Sequence, residues 1–191
     1  VMAAKRAKGA GGDFPQAYLN AEQTVYHVYP PKSARQYDED GNRLVWALPR
    51  ALYGGRASGR HWYMLLRKWF VDNGFVVSEW DPCLFVKRNE DGTFHYVAVY
   101  VDDLVHVYTD EEGYRSVIDK FKADFLGYSD LGPLKEIFNA EIDCSEQFVT
   151  LTQTRYIEAL AETWLPEAET YKTYTPALVD LQDVVKTAAE S

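Results

Sequence analysis

Apolar positions recur along this chain at two spacings, and each spacing predicts an element. From Arg60 to Val71 they fall at Trp62, Leu65, Leu66, Trp69 and Phe70, the i, i+3, i+4, i+7, i+8 spacing of one helix face. Ser58 stands where an N-cap belongs, and Asn73-Gly74 supplies the stop. A pair of strands follows, Cys83 to Lys87 and Phe94 to Val101, joined through Glu90-Asp91-Gly92, with a third strand from Leu104 to Tyr108. Thr109 and Glu112 have capping-box spacing ahead of a second helix that carries Tyr114, Val117, Ile118, Phe121 and Phe125 on one side. Strands near Ile137–Ile142 and Phe148–Thr152 come next, then a helix across Arg155–Trp164.

The remaining stretches carry weaker signals. Asp40-Gly41-Asn42 marks a turn before Leu44-Val45-Trp46 and suggests a small hairpin. Residues 1–12, VMAAKRAKGAGG, have no periodicity and predict a flexible end, with Lys8–Gly12 reading as a poor strand. The tail after Pro166 is weakly patterned, and the chain has no internal repeat. The order of helix, strand, strand, helix, strand predicts an α+β fold. It is what remains of a split β-α-β arrangement, with helices on one face of an antiparallel sheet.

Composition narrows the class. The 191 residues are 47% hydrophobic and 15% aromatic, too rich in core-forming side chains for disorder. No apolar run is long enough to cross a bilayer, and no charged-then-apolar leader opens the sequence, so the expected setting is intracellular with no membrane partner. The chain opens on Val1, as a fragment or processed piece would. Cys83 and Cys144 stand alone, which fits a reducing compartment better than a disulfide framework or a zinc site. The net charge of -9 is uneven: residues 1–70 hold 11 Lys/Arg against 5 Asp/Glu, and residues 71–191 hold 9 against 24. On charge alone, solvated surface explains that asymmetry better than function does. His27, His61, His95 and His106 form no ligand spacing and read as structural.

Chemistry concentrates in HYVAVYVDDLVHVYTD, where Asp102 and Asp103 lie between two apolar strand-forming runs. A tight turn would tolerate an Asp pair. Yet the turns at Asp40-Gly41 and Asp91-Gly92 both use glycine, and two adjacent acids between Val and Tyr residues repel each other and resist desolvation. Divalent cations relieve both costs. Carboxylates are hard oxygen ligands suited to magnesium, and paired metals are a standard device for phosphoryl displacement.

Tyr100-Val101-Asp102-Asp103 resembles the Y-x-D-D signature of reverse transcriptases, specifically the copia-type LTR retrotransposon branch. Five further blocks resemble that branch in order: DFPQAYLNAE (Asp13 to Glu22), ALYGGRASGRHWY (Ala51 to Tyr63), Asp81 to Arg88, Asp130 to Lys135, and Thr150 to Ile157. The resemblance implies a right-hand polymerase palm at 13–145 with partial fingers, the start of a thumb at 146–175, and a tail at 176–191. It implies RNA-directed DNA polymerase activity, adding deoxynucleotides to a primer 3′-hydroxyl with two Mg2+ ions, or Mn2+ in their place. Asp13, Asp102 and Asp103 would be the metal-binding carboxylates, and Tyr18 the aromatic beneath the incoming sugar. Arg56 and Arg60 would lie by the nucleotide and template. Lys135 would serve the pyrophosphate as general acid, although one exposed lysine among many is an equal reading.

The implied partners are an RNA or DNA template with its primer, deoxynucleoside triphosphates, and the remaining fingers, thumb and RNase H of the same polyprotein. Several departures point toward a decayed palm that only binds nucleic acid or serves structure. The apolar strand before Asp13 is replaced by a Gly-rich run, Pro15 enters the first block and Ala57 stands for a glutamine, while intact Asp13, Asp102 and Asp103 oppose that reading; Gly59 also stands for a proline, and Asn139 for a glycine, which asparagine tolerates. A metal-dependent phosphoesterase shares the carboxylates but does not explain the ordered blocks.

Overall fold

The computed structural model describes residues 7–144 and 148–164. Residues 1–6 of the expected flexible end, much of the expected thumb segment and the tail at 176–191 lie outside the described residues. The chain divides into two compact units, Val1–Thr152 and Gln153–Ser191.

The first unit is built on a six-stranded antiparallel sheet. Its strands are β1 (Lys8–Asp13), β4 (Val76–Val77), β5 (Leu84–Arg88), β6 (Phe94–Tyr100), β7 (Asp103–Tyr108) and β8 (Ser129–Pro133), in the order β4-β5-β6-β7-β1-β8. The Gly-rich run before Asp13 is therefore a strand, contrary to its composition. β1 is laddered on both sides, to β7 and to β8, and non-local pairing overrides its low intrinsic propensity. Glycine fits its place, because a Cβ on Gly12 would collide with the Tyr128 hydroxyl.

Cross-strand partners Phe85, Val97, His106 and Ala10 line up across β5, β6, β7 and β1, each at most 2% exposed. Two helices cover this face, α1 (Ser58–Asp72) and α2 (Glu111–Asp124). Phe70 of α1 stacks on Phe85 at 4.2 Å, and Trp69 stacks on Phe121 of α2 at 4.1 Å. The helical periodicities thus face the core as expected, but the caps differ. Ala57 holds the N-cap position of α1, while the Ser58 hydroxyl donates to the Leu52 carbonyl. Asp110 caps α2 by accepting from the Glu112 N–H, and Thr109 instead accepts from the Phe94 amide. Gly74, at φ 82°, ends α1 as expected.

Two small antiparallel sheets complete this unit. β2 (Glu22–Val28) pairs with β3 (Trp46–Arg50), so Trp46 finds a distant partner. The turn at Asp38–Asn42 is present, with a Tyr37–Arg43 bridge beside it. The single strand expected near Ile137–Ile142 is two, β9 (Glu136–Ile137) and β10 (Ala140–Cys144), with β11 (Val149–Thr152) pairing β10. Phe138 and Asn139, at φ 48° and 59°, turn the chain between them, and asparagine enters the left-handed region more readily than most residues. In the second unit, α3 (Thr154–Trp164) matches the expected helix. The architecture is α+β, with antiparallel sheets and three α-helices among the described residues. No helix among them is long and apolar enough to cross a membrane.

Candidate active site

Strand register brings the acidic residues together. Asp13 closes β1, Asp103 opens β7, and the two are direct cross-strand partners. Asp102 occupies the two-residue turn between β6 and β7, closed by the Tyr100–Asp103 pair, and its carbonyl accepts from the Phe14 amide at 2.9 Å. Asp13 and the adjacent pair Asp102-Asp103, almost 90 positions apart in sequence, are thus brought to one end of the sheet.

Their electrostatics follow from that placement. Partial burial, then the Asp102 charge, raises the Asp13 carboxyl above its ordinary value. Asp103 is raised by desolvation and then by Asp102 and Asp13, although its side chain is the most open of the three. Tyr53 is raised as well, by burial first and Asp102 second, which sets its hydroxyl in the same negative field. Among the described residues no three His, Cys, Asp or Glu side chains converge closely enough to enclose a metal ion. The donor chemistry nevertheless fits a hard divalent cation: three carboxylates, mutually repelling, whose shared negative charge a cation would offset.

The turn itself is strained. Val101 has φ 57°, a region that a β-branched residue enters at a cost of about 1–3 kcal/mol. Its carbonyl accepts a hydrogen bond from the Trp62 indole Nε1 at 2.6 Å. Trp62 is 2% exposed and meets the Phe14 ring edge-on at 5.0 Å.

Other expected site residues are placed unevenly. Tyr18 lies in a 3-10 turn (Ala17–Asn20) shortly after Asp13, half-buried, with its ring 4.5 Å from that of Tyr53. Gly59 sits beneath it, where a Cβ would stand 3.5 Å from the Tyr18 hydroxyl. Pro15 costs no ladder bond. β1 has ended at Asp13, and the proline enters a turn closed by the Ala17 N–H on the Phe14 carbonyl. Arg56 precedes α1 and Arg60 lies in its first turn, both exposed.

Lys135 is not brought to the carboxylates. β8 runs antiparallel to β1 from Ser129, opposite Asp13, to Pro133, opposite Ala10, and the Leu134 amide reaches the Gly9 carbonyl. Lys135 therefore follows at the far end of β1, beyond Gly9, which itself lies about 14 Å along the strand from Asp13 at about 3.4 Å per residue. A cavity of about 1020 Å3 opens at that far end, lined by Lys8, Tyr108, Tyr114, Lys122 and Leu134 among others, and none of the three carboxylates borders it.

Two residues of the site had no distinguishing signal in the sequence. Trp62 reads only as a core position of a helix face. Tyr53 lies in the ALYGG block, and an aromatic just before paired glycines was its one cue.

Residues 11–179 match the family described as reverse transcriptase (RNA-dependent DNA polymerase). A retrovirus-related Pol polyprotein from transposon TNT 1-94 of Nicotiana tabacum is 30% identical over 158 residues, covering 78% of this chain and 11% of the tobacco protein. The corresponding polyprotein from transposon RE1 of Arabidopsis thaliana is 32% identical over 154 residues, covering 79% of this chain and 10% of its own length. A Ty5-1 transposon protein of Saccharomyces cerevisiae is 27% identical over 168 residues, 86% of this chain and 52% of the yeast protein. The chain thus spans about a tenth of the plant polyproteins it matches. No solved structure matches it. With a family match across most of its length and plant transposon polyproteins as relatives, the chain belongs to the reverse transcriptase (RNA-dependent DNA polymerase) family in its copia-type branch.

Proposed function

We propose that this chain forms the palm of an RNA-directed DNA polymerase, with part of the fingers and the start of a thumb, and that it transfers deoxynucleotides to a primer 3′-hydroxyl. The observation that carries the reading is the register setting Asp13 opposite Asp103 with Asp102 in the adjoining turn. The palm begins at Lys8 in this reading, because β1 delivers Asp13. Its boundary with the thumb stays near residue 145.

Asp13, Asp102 and Asp103 hold the cations. The chemistry supplied by two bound Mg2+ ions, or Mn2+ in their place, is activation of the primer hydroxyl and neutralisation of the departing pyrophosphate. Tyr18 forms the floor beneath the incoming sugar, supported from the side by Tyr53. Arg56 and Arg60, exposed at the start of α1, present positive charge toward phosphates of nucleotide or template. The general-acid role implied for Lys135 is not part of this proposal, because its position along β1 argues against it. The template is RNA or DNA, gripped mainly through its phosphates, with the other parts of the polyprotein completing the grip.

The decayed-palm reading loses its main support, since the strand before Asp13 is present and Pro15 sits in a turn. The test uses Tyr18 in a polymerase that includes the flanking fingers and thumb. Tyr18→Val should raise ribonucleotide incorporation at least tenfold or so while largely sparing deoxynucleotide use, because a close-packed aromatic wall excludes a 2′-hydroxyl. Tyr18→Phe should keep the discrimination. The measurement is competitive incorporation opposite one template base. Selectivity unchanged in Tyr18→Val, with folding intact, returns Tyr18 to the core and removes the nucleotide site built around Asp13.

A further inference from the structure

Trp62 links the two chain segments that carry the carboxylates. Its indole Nε1 donates to the Val101 carbonyl at 2.6 Å, immediately before Asp102. Its ring meets Phe14, immediately after Asp13, with centroids 5.0 Å apart. Phe14 returns the connection, since its amide donates to the Asp102 carbonyl at 2.9 Å. The result is a closed circuit through Trp62, Val101, Asp102 and Phe14. Phe125 packs on the outer side of Trp62 at 5.6 Å, and the indole is buried. Val101, at φ 57°, holds a backbone conformation that a β-branched residue does not favour by itself, so something outside the turn must maintain it. The indole N–H is suited to that task, because Trp62 is buried and its donor, deprived of the Val101 carbonyl, would be left unsatisfied.

We infer that Trp62 is a positioning residue for the carboxylate site: by holding the Val101 carbonyl and seating Phe14, it fixes Asp102 relative to Asp13 for cation binding. The inference rests on the reading of these carboxylates as the cation site. Helix α1 thereby has a second task beside filling the core, and phenylalanine at position 62 would fill the space without performing it.

The test measures Mn2+ binding to the full 191-residue chain from the electron paramagnetic resonance signal of free Mn2+. Four proteins are compared: the unaltered chain, Asp102→Asn, Trp62→Phe and Trp69→Phe. Trp69 is the control, since it also donates a buried indole N–H, to the Asp124 carboxylate at 2.7 Å, but belongs to the α1–α2 contact. Trp62→Phe should weaken Mn2+ binding about tenfold, as loss of outer supporting bonds does at metal sites, while Trp69→Phe leaves it unchanged. Replacing Trp62 by benzothienylalanine, which keeps the bicyclic ring and lacks only the N–H, should reproduce the loss even if Trp62→Phe folds poorly. Equal affinity in the unaltered chain and the benzothienylalanine variant would overturn the inference. Equal losses in the two tryptophan-to-phenylalanine variants would overturn it also, by showing general loosening. If the unaltered chain binds no Mn2+, or Asp102→Asn binds as well as it does, the cation-site reading fails and takes this inference with it.

Discussion

His95 and His106 form a polar pair inside an otherwise aromatic core. His95 Nε2 and His106 Nδ1 are 3.0 Å apart, His106 Nε2 lies 3.3 Å from the Tyr128 hydroxyl, and His95 Nδ1 has no partner among the described residues. Desolvation first, and the nearby Lys87 charge second, push the His95 imidazole down to about 4. Burial also lowers His106, with His95 adding to the effect. Both are therefore neutral in the folded chain near pH 7. A group whose folded pKa is depressed charges first in the unfolded state, so its contribution to stability is complete above about 6.5 and declines as pH falls toward about 4. For His95 alone the expected loss between pH 7 and pH 5 is about 2 kcal/mol. Urea denaturation at the two pH values measures it, and an unfolding free energy that stays constant would mean the pair is not buried neutral. That these histidines are structural was legible from their spacing. That they touch each other was not, because the contact depends on the β6–β7 register.

At the scale of elements, β1 is where composition and outcome part. A Gly-rich run loses about 0.5–1 kcal/mol per glycine relative to alanine, since each glycine gives up more freedom on ordering. Ladders on both flanks and the burial of Ala10 offset that cost. The glycines are not equivalent, which makes the account testable. A Cβ on Gly12 would press into the Tyr128 hydroxyl, and that ring is confined by Phe14 at 4.9 Å and Phe121 at 5.0 Å. A Cβ on Gly11 would meet Leu131 at 3.4 Å, near ordinary contact. Gly12→Ala should destabilise by about 1–3 kcal/mol through overpacking, which outweighs the entropy gain. Gly11→Ala should lie within about 1 kcal/mol of the parent. Denaturant midpoints decide it, and equal midpoints for the two variants would refute the claim that Tyr128 demands glycine in β1.

At the scale of the whole molecule, this chain covers only about a tenth of the plant polyproteins it matches. Phosphoryl transfer depends heavily on positioning, so on the proposed reading a chain that carries only part of the polymerase should be slow. Expressed by itself, the 191-residue chain should bind primer–template weakly and extend it little. Such binding should fall steeply with salt, because the positive charge of residues 1–70 would act mainly through phosphates against the acidic remainder. Filter binding between about 50 and 200 mM salt, with primer extension alongside, tests both expectations. Robust extension at the higher salt would contradict them.

The amino-acid sequence by itself determined the elements whose information is local. The buried faces of α1 and α2 and the presence of α3 follow from apolar spacing, the end of α1 from Gly74, and the β–turn–β frame around Asp102-Asp103 from two flanking apolar runs. The ordered blocks also placed the chain in its family. The tertiary structure alone decided what depends on pairing across distance. It made a strand of Lys8–Asp13, divided Ile137–Ile142 at a left-handed turn, and set Asp13 opposite Asp103. It also carried Lys135 to the end of β1 away from Asp13 and turned the Trp62 indole onto the Val101 carbonyl. The physical reason is that helical periodicity is written into neighbouring residues, whereas a strand's partner, its register and a side chain's hydrogen bond are fixed by segments far away in sequence.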